Sequence, residues 1–281
     1  MSAESPPRWR LLQTGPGDGF TNMAVDEAIL EACLAGDAPP TLRFYMWSPP
    51  AISIGYGQQV ESAIDLERCR GLGIDVVRRP TGGLAVLHEY DVSYSVVLRE
   101  DASPAVRGIL ASYLTVGHAL IRGLAYLGVK ADLLPLRRAP LPSDQASPLC
   151  FVTPSSYEVV VQGRKLIGSA QRRVHGAILQ HGSLPLSLDR EKLCSVLPPA
   201  KDRAVPRAAE AEEYRFHMTS LQEAGGRIYS HGEVIAALCR GFTEVWEVKL
   251  TEGHLTGEER RGRARLLRDK YHAASFSSSP P

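Results

Sequence analysis

Three apolar runs set close together restrict the fold of this chain more than any other feature. "YEVVV", "KLIGSAQ" and "GAILQHGSLPL" fall between residues 157 and 186 and are joined by "QG" and "RVHG". Short apolar runs separated by glycine-bearing connections of this length read as strands of a meander. The second run opens on Lys165, although the residues that follow it, Leu166 and Ile167, read as core. A lysine buried without a task would be costly, so this one invites a functional reading.

The rest of the chain mixes helices and strands without a regular alternation. "NMAVDEAILEACLAG", Asn22 to Gly36, predicts a helix with Ala24, Ile29, Leu30 and Cys33 on one face. Asp26 and Glu27 stand near its start, where the helix dipole favours acids. "TLRFYMW" and "AISIG" read as short strands, "DLERCRGLG" as a helix ending at glycine, and "IDVVRR" as a buried strand. Val92, Tyr94, Val96 and Leu98 alternate as a half-buried strand does. Ser103 and Pro104 suit the cap and first turn of a helix reaching Leu127, with a stripe of Val106, Ile109, Leu110, Tyr113, Val116, Leu120, Leu124 and Leu127. Further helices are predicted at Ser230–Val245 and Gly257–Tyr271. This order predicts an α+β fold of mixed sheets packed with helices. Residues 1–281 read as one domain, with a core at about 22–186 and a helical extension at about 198–272.

Composition narrows the function classes. The apolar fraction is 44%, the charged fraction 22% and the net charge +1. No global basic field argues for nucleic acid. No apolar run approaches the roughly 18 residues that cross a membrane, and "MSAESPPRWRLLQTG" has no apolar signal segment, which predicts a cytoplasmic protein. The five cysteines, Cys33, Cys69, Cys150, Cys194 and Cys239, are widely spaced and form no C-x-x-C pair, so neither a disulfide framework nor a zinc site is expected. Local pairs such as Arg78-Arg79 are most often solvated.

Cys150 stands apart from the other four, at the junction of a proline-rich loop and a strand. A thiol with pKa about 8.5 is only roughly 3% thiolate at pH 7, and a nearby ammonium that lowers it to about 7 makes that about half. Such a shift corresponds to about 2 kcal/mol. In "RRPTGG", glycines without Cβ let backbone N–H groups approach a ligand, and the adjacent arginine suits an anion or carbonyl oxygen; a plain turn with surface arginines is the simpler reading. His88, His175 and His181 show no metal-ligand spacing and read as hydrogen-bonded structural histidines.

Three motifs in the same order give a more specific signal. "NMAVDEAIL", "RRPTGGLAVLHEYDVSYSVV" and "GRKLIGSAQRR" resemble the opening helix, the R-R-x-[ST]-G-G-[GR]-A-V-x-H signature and the lysine strand of the lipoate and biotin protein ligase superfamily. The likeness spans about Asn22 to Leu186 and implies a ligase-like catalytic fold. Within that superfamily, the stretch from Cys150 onward looks most like the cysteine-dependent octanoyltransferases of lipoate synthesis. The resemblance implies that Cys150 is the acyl-accepting nucleophile and Lys165 its partner. It also implies that Arg79, Thr81, Gly82 and Gly83 line an acyl pocket, with Gly168, Ser169 and Ala170 opposite, and it groups His88 with these substrate-binding residues.

The same resemblance implies octanoyl-acyl carrier protein as donor. Acceptors are then lipoyl carrier proteins, such as glycine cleavage H protein and the lipoyl domains of 2-oxoacid dehydrogenases. No metal or other cofactor is required, and ATP with magnesium enters only if the chain is a ligase. Leu84 departs from the signature, which carries Gly or Arg there, and leucine can neither steer an acidic carrier nor polarise a carbonyl. This leaves open an amidotransferase that takes octanoyl from H protein. An ATP-dependent lipoate ligase and a non-catalytic acyl-carrier-binding protein also stay open on these residues.

Overall fold

The computed structural model describes residues 5–134, 158–198 and 207–272. Along the chain come β1 (Arg8–Gly17), α1 (Gly19–Ala35), β2 (Thr41–Trp47), β3 (Ala51–Ile54), α2 (Val60–Ala63), α3 (Leu66–Gly71), β4 (Asp75–Arg78), β5 (Val86–His88) and β6 (Asp91–Arg99). Then follow α4 (Ile109–Tyr126), β7 (Asp132–Leu133), β8 (Val159–Val161), β9 (Arg164–Val174) and β10 (Ala177–Pro185). The last group is α5 (Arg190–Ser195), α6 (Arg207–His217), α7 (Leu221–Gly225), α8 (His231–Trp246), β11 (Lys249–Glu252) and α9 (Gly257–Leu266). The fold is α+β, as the mixed order of elements predicts.

Eight strands form one mixed sheet in the order β11-β1-β2-β6-β10-β9-β8-β7, and β4-β3-β5 form a second. The meander is the antiparallel run β8-β9-β10. Its two connections place Gln162 and Gly163, then His175 and Gly176, at positive φ, the backbone of tight two-residue hairpin turns. His175 is therefore an exposed turn residue. In mid-sheet, Gly182 of β10 pairs with Tyr94 of β6 on one side and Ser169 of β9 on the other.

Period-two alternation divides the sheet's side chains between two layers. Leu42, Phe44, Val92, Tyr94, Val96, Leu98 and Ile178 pack against Val116, Leu120 and Leu124 of α4 and Leu238 and Phe242 of α8. Those two helices meet at glycines: a Cβ on Gly241 would lie 2.3 Å from the Ala119 carbonyl oxygen. Among the residues of opposite parity, Leu12, Val97 and Leu179 pack with Val25, Ile29, Leu30 and Cys33 of α1. The other side of α1 carries Met23, Ala24 and Ala28 against Tyr45, Trp47, Val77, Leu266 and Tyr271.

Several sequence expectations need correction. β6 is buried on both faces: of the residues between its apolar ones, Ser95 donates to Asp26 of α1, and Ser93 donates to Asp91 and accepts from Trp47. α1 begins at Gly19, with the Asp18 side chain accepting from the Thr21 amide, so Asp26 and Glu27 fall beyond the first turn. Ser103 and Pro104 lead into a short 3-10 turn, and α4 starts only at Ile109 after Gly108, whose φ is 93°. Ile109 and Leu110 consequently point outward, 62% and 49% exposed. Arg78 and Arg79 are buried rather than solvated, since their guanidinium groups satisfy carbonyls of two neighbouring turns. β1 and β11, which sequence reasoning missed, pair in parallel at the sheet's edge.

Candidate active site

A cavity of about 350 Å³ lies between the α1 side of the large sheet and the small sheet. β9 and β10 form one wall with Gly168, Ser169, Ala170, His181 and Gly182. The opposite wall is the segment after β4, with Arg79, Gly82, Gly83 and Leu84, followed by Val86 and His88 of β5. Met23, Tyr45 and Trp47 come from α1 and β2.

Two hydroxyl–imidazole–carboxylate chains brace these walls. In the first, Thr81 Oγ1 lies 2.7 Å from His181 Nε2, and His181 Nδ1 lies 3.1 Å from Asp26 Oδ2. Asp26 also accepts from Arg43 at 2.6 Å, Ser95 at 2.8 Å and the Tyr45 hydroxyl at 3.1 Å. Burial would raise the Asp26 pKa, but the Arg43 guanidinium and the His181 hydrogen bond outweigh it and hold the carboxyl below its ordinary value. Burial pushes His181 the other way, toward the neutral form, more strongly than Asp26 opposes it. A neutral His181 beside an acceptor-only carboxylate donates from Nδ1 and accepts the Thr81 hydroxyl proton at Nε2. The segment after β4 is thereby tied to α1 across the sheet.

In the second chain, Ser53 Oγ lies 2.9 Å from His88 Nε2, and His88 Nδ1 lies 2.9 Å from Asp91 Oδ2. Ser93 and Ser183 both donate to the same Asp91 oxygen, and the Trp47 indole donates to Ser93. Trp47 stacks on His88 with ring centroids 4.0 Å apart. Arg79 donates to the carbonyls of Ser53, Gly82 and Leu84, so its guanidinium shapes the wall from behind. On the other wall the Tyr94 hydroxyl lies 2.7 Å from Ser169 Oγ, and burial pushes the tyrosine up to about 12.

Most of the residues singled out from sequence converge here. Arg79, Gly82, Gly83 and His88 line one wall and Gly168, Ser169 and Ala170 the other. Thr81 is buried behind the wall and reaches the cavity through His181. Lys165 stands on the cavity-lining strand β9, three residues before Gly168, but is not among the described residues that line the cavity. It is 3% exposed, and its Nζ is ion paired with the Glu158 carboxylate, itself 2% exposed. Cys150 lies outside the described residues.

The other cysteines sit away from this cavity, on helices. Cys33, Cys69 and Cys194 are buried and Cys239 is partly buried. Burial raises the Cys33 thiol, and takes Cys69 to about 11 and Cys239 to about 12. Among the described residues no group of three or more His, Cys, Asp or Glu side chains is gathered to hold a metal ion, and no helix is long and apolar enough to cross a membrane.

Sequence reasoning missed Asp26, Trp47, Ser53, Asp91 and Glu158. Asp26 reads as a helix-dipole acid, and the others occupy runs that read as plain strand. Glu158 left one usable signal, a carboxylate in an apolar run just across a hairpin from a lysine in another.

A fold of this kind around such a cavity belongs to enzymes that handle lipoyl-type acyl groups: the lipoyl protein ligase A/B catalytic domain matches residues 18–243, and the chain is a member of that family. The chain is 45% identical over 276 residues to octanoyltransferase LipM of Moorella thermoacetica, covering 98% of each. It is 45% identical over 264 residues to octanoyltransferase LipM of Kyrpidia tusciae, covering 92% of this chain and 94% of that one. Among solved structures, a bi-partite lipoate protein ligase from Thermoplasma acidophilum superposes with a TM-score of 0.80 at 28% identity, over 99% of this chain and 98% of that one. Lipoate-protein ligase A bound with ATP gives 0.78 at 28% identity, over 98% and 100%.

Proposed function

We infer that this chain is an octanoyltransferase that moves octanoyl from octanoyl-acyl carrier protein to a lysine of a lipoyl carrier protein. Glycine cleavage H protein and the lipoyl domains of 2-oxoacid dehydrogenases are the acceptors of this reading. The reaction runs in the cytoplasm, through a thioester on Cys150 and without ATP. The observation that carries the reading is the cavity, in a chain 45% identical over nearly its whole length to a named octanoyltransferase. Its histidines and Arg79 are hydrogen bonded within its own walls. Such a slot suits an alkyl chain, which asks for apolar surface and offers no hydrogen bonds in return.

The chemistry proceeds in two transfers. Cys150, as thiolate, attacks the carbonyl carbon of the donor thioester; the new carbon–sulfur bond forms, the old one breaks, and the carrier's thiolate leaves. Exchange of one thioester for another costs little free energy. The acceptor lysine, as free amine, then attacks the enzyme thioester, forming an amide and releasing the Cys150 sulfur. Splitting one acyl transfer in two is the gain from a covalent intermediate. Lys165 supplies positive charge where the oxyanion develops in each step. Arg79, Gly82, Gly83 and His88 hold the acyl chain on one side, with Thr81 behind them steadying His181, and Gly168, Ser169 and Ala170 on the other.

Intact mass spectrometry after incubation with octanoyl-acyl carrier protein, without ATP, tests this directly. One octanoyl group is expected, removable by hydroxylamine and mapping to Cys150, and Cys150→Ala abolishes both adduct and transfer. Adduct formation with octanoylated H protein instead, and none with acyl carrier protein, would make the chain an amidotransferase. Transfer by Cys150→Ala from free octanoate and ATP would make it a ligase.

A further inference from the structure

Burial grades the cavity lining from a mouth to a blind end. Gly82 and Gly83 are exposed, and Leu84, Ser169 and Ala170 are partly exposed. Trp47, Val86, His88, Ser93 and Ser183 are all buried. A carrier protein is far too large to enter a cavity of about 350 Å³, so the thioester end of its acyl group stays at the mouth. The methyl end of the chain then points to the buried side.

Behind that blind end lies a second cavity of about 30 Å³, between β5, the end of β10, α5 and Met218. Its lining is mostly apolar and includes Leu87, Leu188, Leu193 and Met218. Asp91 borders it too, but turns one oxygen to three donors and keeps the other sealed within the protein. Among the described residues, only Val86 and Ser183 line both cavities, so these two side chains are the partition between them. The rest of the blind end is hydrogen bonded in place. Ser183 donates to Asp91 at 2.6 Å, Trp47 donates to Ser93 at 2.9 Å, and His88 is held between Ser53 and Asp91. Val86 is fixed differently. Its backbone is in register with Ser53 of β3, and its branched side chain has little rotamer freedom and no hydrogen bond to lose.

We propose that Val86 is a specificity-determining residue that sets the longest acyl chain the enzyme accepts: its isopropyl group ends the acyl cavity and shuts off the second one. This rests on the acyl-cavity reading given above. A chain two carbons longer than octanoyl has to displace something at the blind end. Moving Trp47, His88 or Ser183 breaks hydrogen bonds between buried groups, which offsets what two buried methylenes return. Moving Val86 breaks none, but a stiff side chain in a close-packed interior has no vacant position to take. Trimming it is another matter. With the isopropyl group reduced to a methyl, the space left behind joins the second cavity, whose apolar walls suit the added methylenes.

The test is a competition on the full chain. Hexanoyl-, octanoyl- and decanoyl-acyl carrier protein are supplied at equal concentration with a lipoyl domain as acceptor, and the acylated domains are read by mass. Product ratios do not depend on how much of each enzyme is folded. Wild type is expected to favour octanoyl over both others. Val86→Ala is expected to raise the decanoyl-to-octanoyl ratio at least tenfold, about the discrimination that two buried methylenes carry. Leu188 is partly exposed and lines only the second cavity, so adding Leu188→Trp to that variant fills the new space and is expected to return the ratio toward wild type. Val86→Leu lengthens the partition without emptying the core, and is expected to raise the hexanoyl-to-octanoyl ratio at least threefold. A wild type that takes decanoyl as readily as octanoyl overturns the proposal alone, as does an unchanged ratio in either Val86 variant that folds. A raised decanoyl ratio that Leu188→Trp leaves untouched also overturns it, since the added carbons then lie elsewhere. No transfer of any acyl group by wild type overturns the octanoyltransferase reading and this inference with it.

Discussion

Lys165→Ala is expected to cost about 3–5 kcal/mol of folding stability, because it leaves the Glu158 carboxylate buried without the cation it faces. Urea unfolding followed by circular dichroism measures the loss. Replacing both partners together, Lys165→Met with Glu158→Leu, is expected to recover most of it while leaving transfer dead. Sequence reasoning sees the lysine and not its counter-ion. The same limit runs through the whole site. As cavity lining, Gly82, Gly83 and the Gly168–Ala170 strand were legible because their spacing is local and matches a known motif. Asp26 is legible only for its place in a helix, yet its partners Arg43, Ser95 and His181 come from three separate strands. A carboxylate's task is set by what the fold brings to it, and a linear pattern does not carry that. Leu84 illustrates the reverse case, a departure that sequence reasoning links to the donor carrier and that the structure places in the cavity lining.

Gly241→Ala tests the packing of whole elements. Its new methyl would meet the Ala119 carbonyl oxygen and Gly123 backbone of α4, neither of which can rotate away. Separating α4 and α8 is expected to lower stability by about 1–3 kcal/mol, seen as a lower melting temperature, while octanoylation by the remaining folded enzyme continues. Elements with strong local patterns were readable in the sequence: the meander, α1, α8 and α9 all lie close to where periodicity and caps place them. Ser230 caps α8, and a Thr256–Glu259 capping box opens α9, both visible as residue types. The start of α4 is misread because Ser103 and Pro104 do begin a turn, but only a 3-10 one. β1 and β11 were missed for a different reason. β11 is only four residues long and exposes most of its side chains, so it has no buried face to write into the sequence. Alternation in β6 misleads in the opposite direction, since a serine under α1 looks the same on paper as a serine in water.

At the scale of the whole molecule, the buried Asp26–His181 pair makes stability depend on pH. His181 has a folded pKa below its ordinary 6.5, so the unfolded chain binds its proton first and stability falls as pH drops below about 6.5. Asp26 is held below its ordinary 3.8, so its contribution is present above that value and is lost only as pH falls further. Melting temperature is expected to be level near pH 7 to 8, to decline from about 6.5, and to fall again below about 4. His181→Gln is expected to be less stable at pH 7 but to lose the decline that sets in below about 6.5, and a mutant that kept it would place the titrating group elsewhere. The sheet that holds this pair is also finished in a particular temporal order. Neighbouring strands β9 and β10 zip from a turn, whereas β1 pairs with β11 across about 240 residues of chain. Closing a loop of that length from a flexible chain costs on the order of 5 kcal/mol in entropy, far more than closing a two-residue turn. The hairpin that presents Gly168–Ala170 can therefore form early, while the β1–β11 edge joins only once most of the molecule is already in place. A nascent chain would possess one wall of its cavity well before the sheet that carries it is complete.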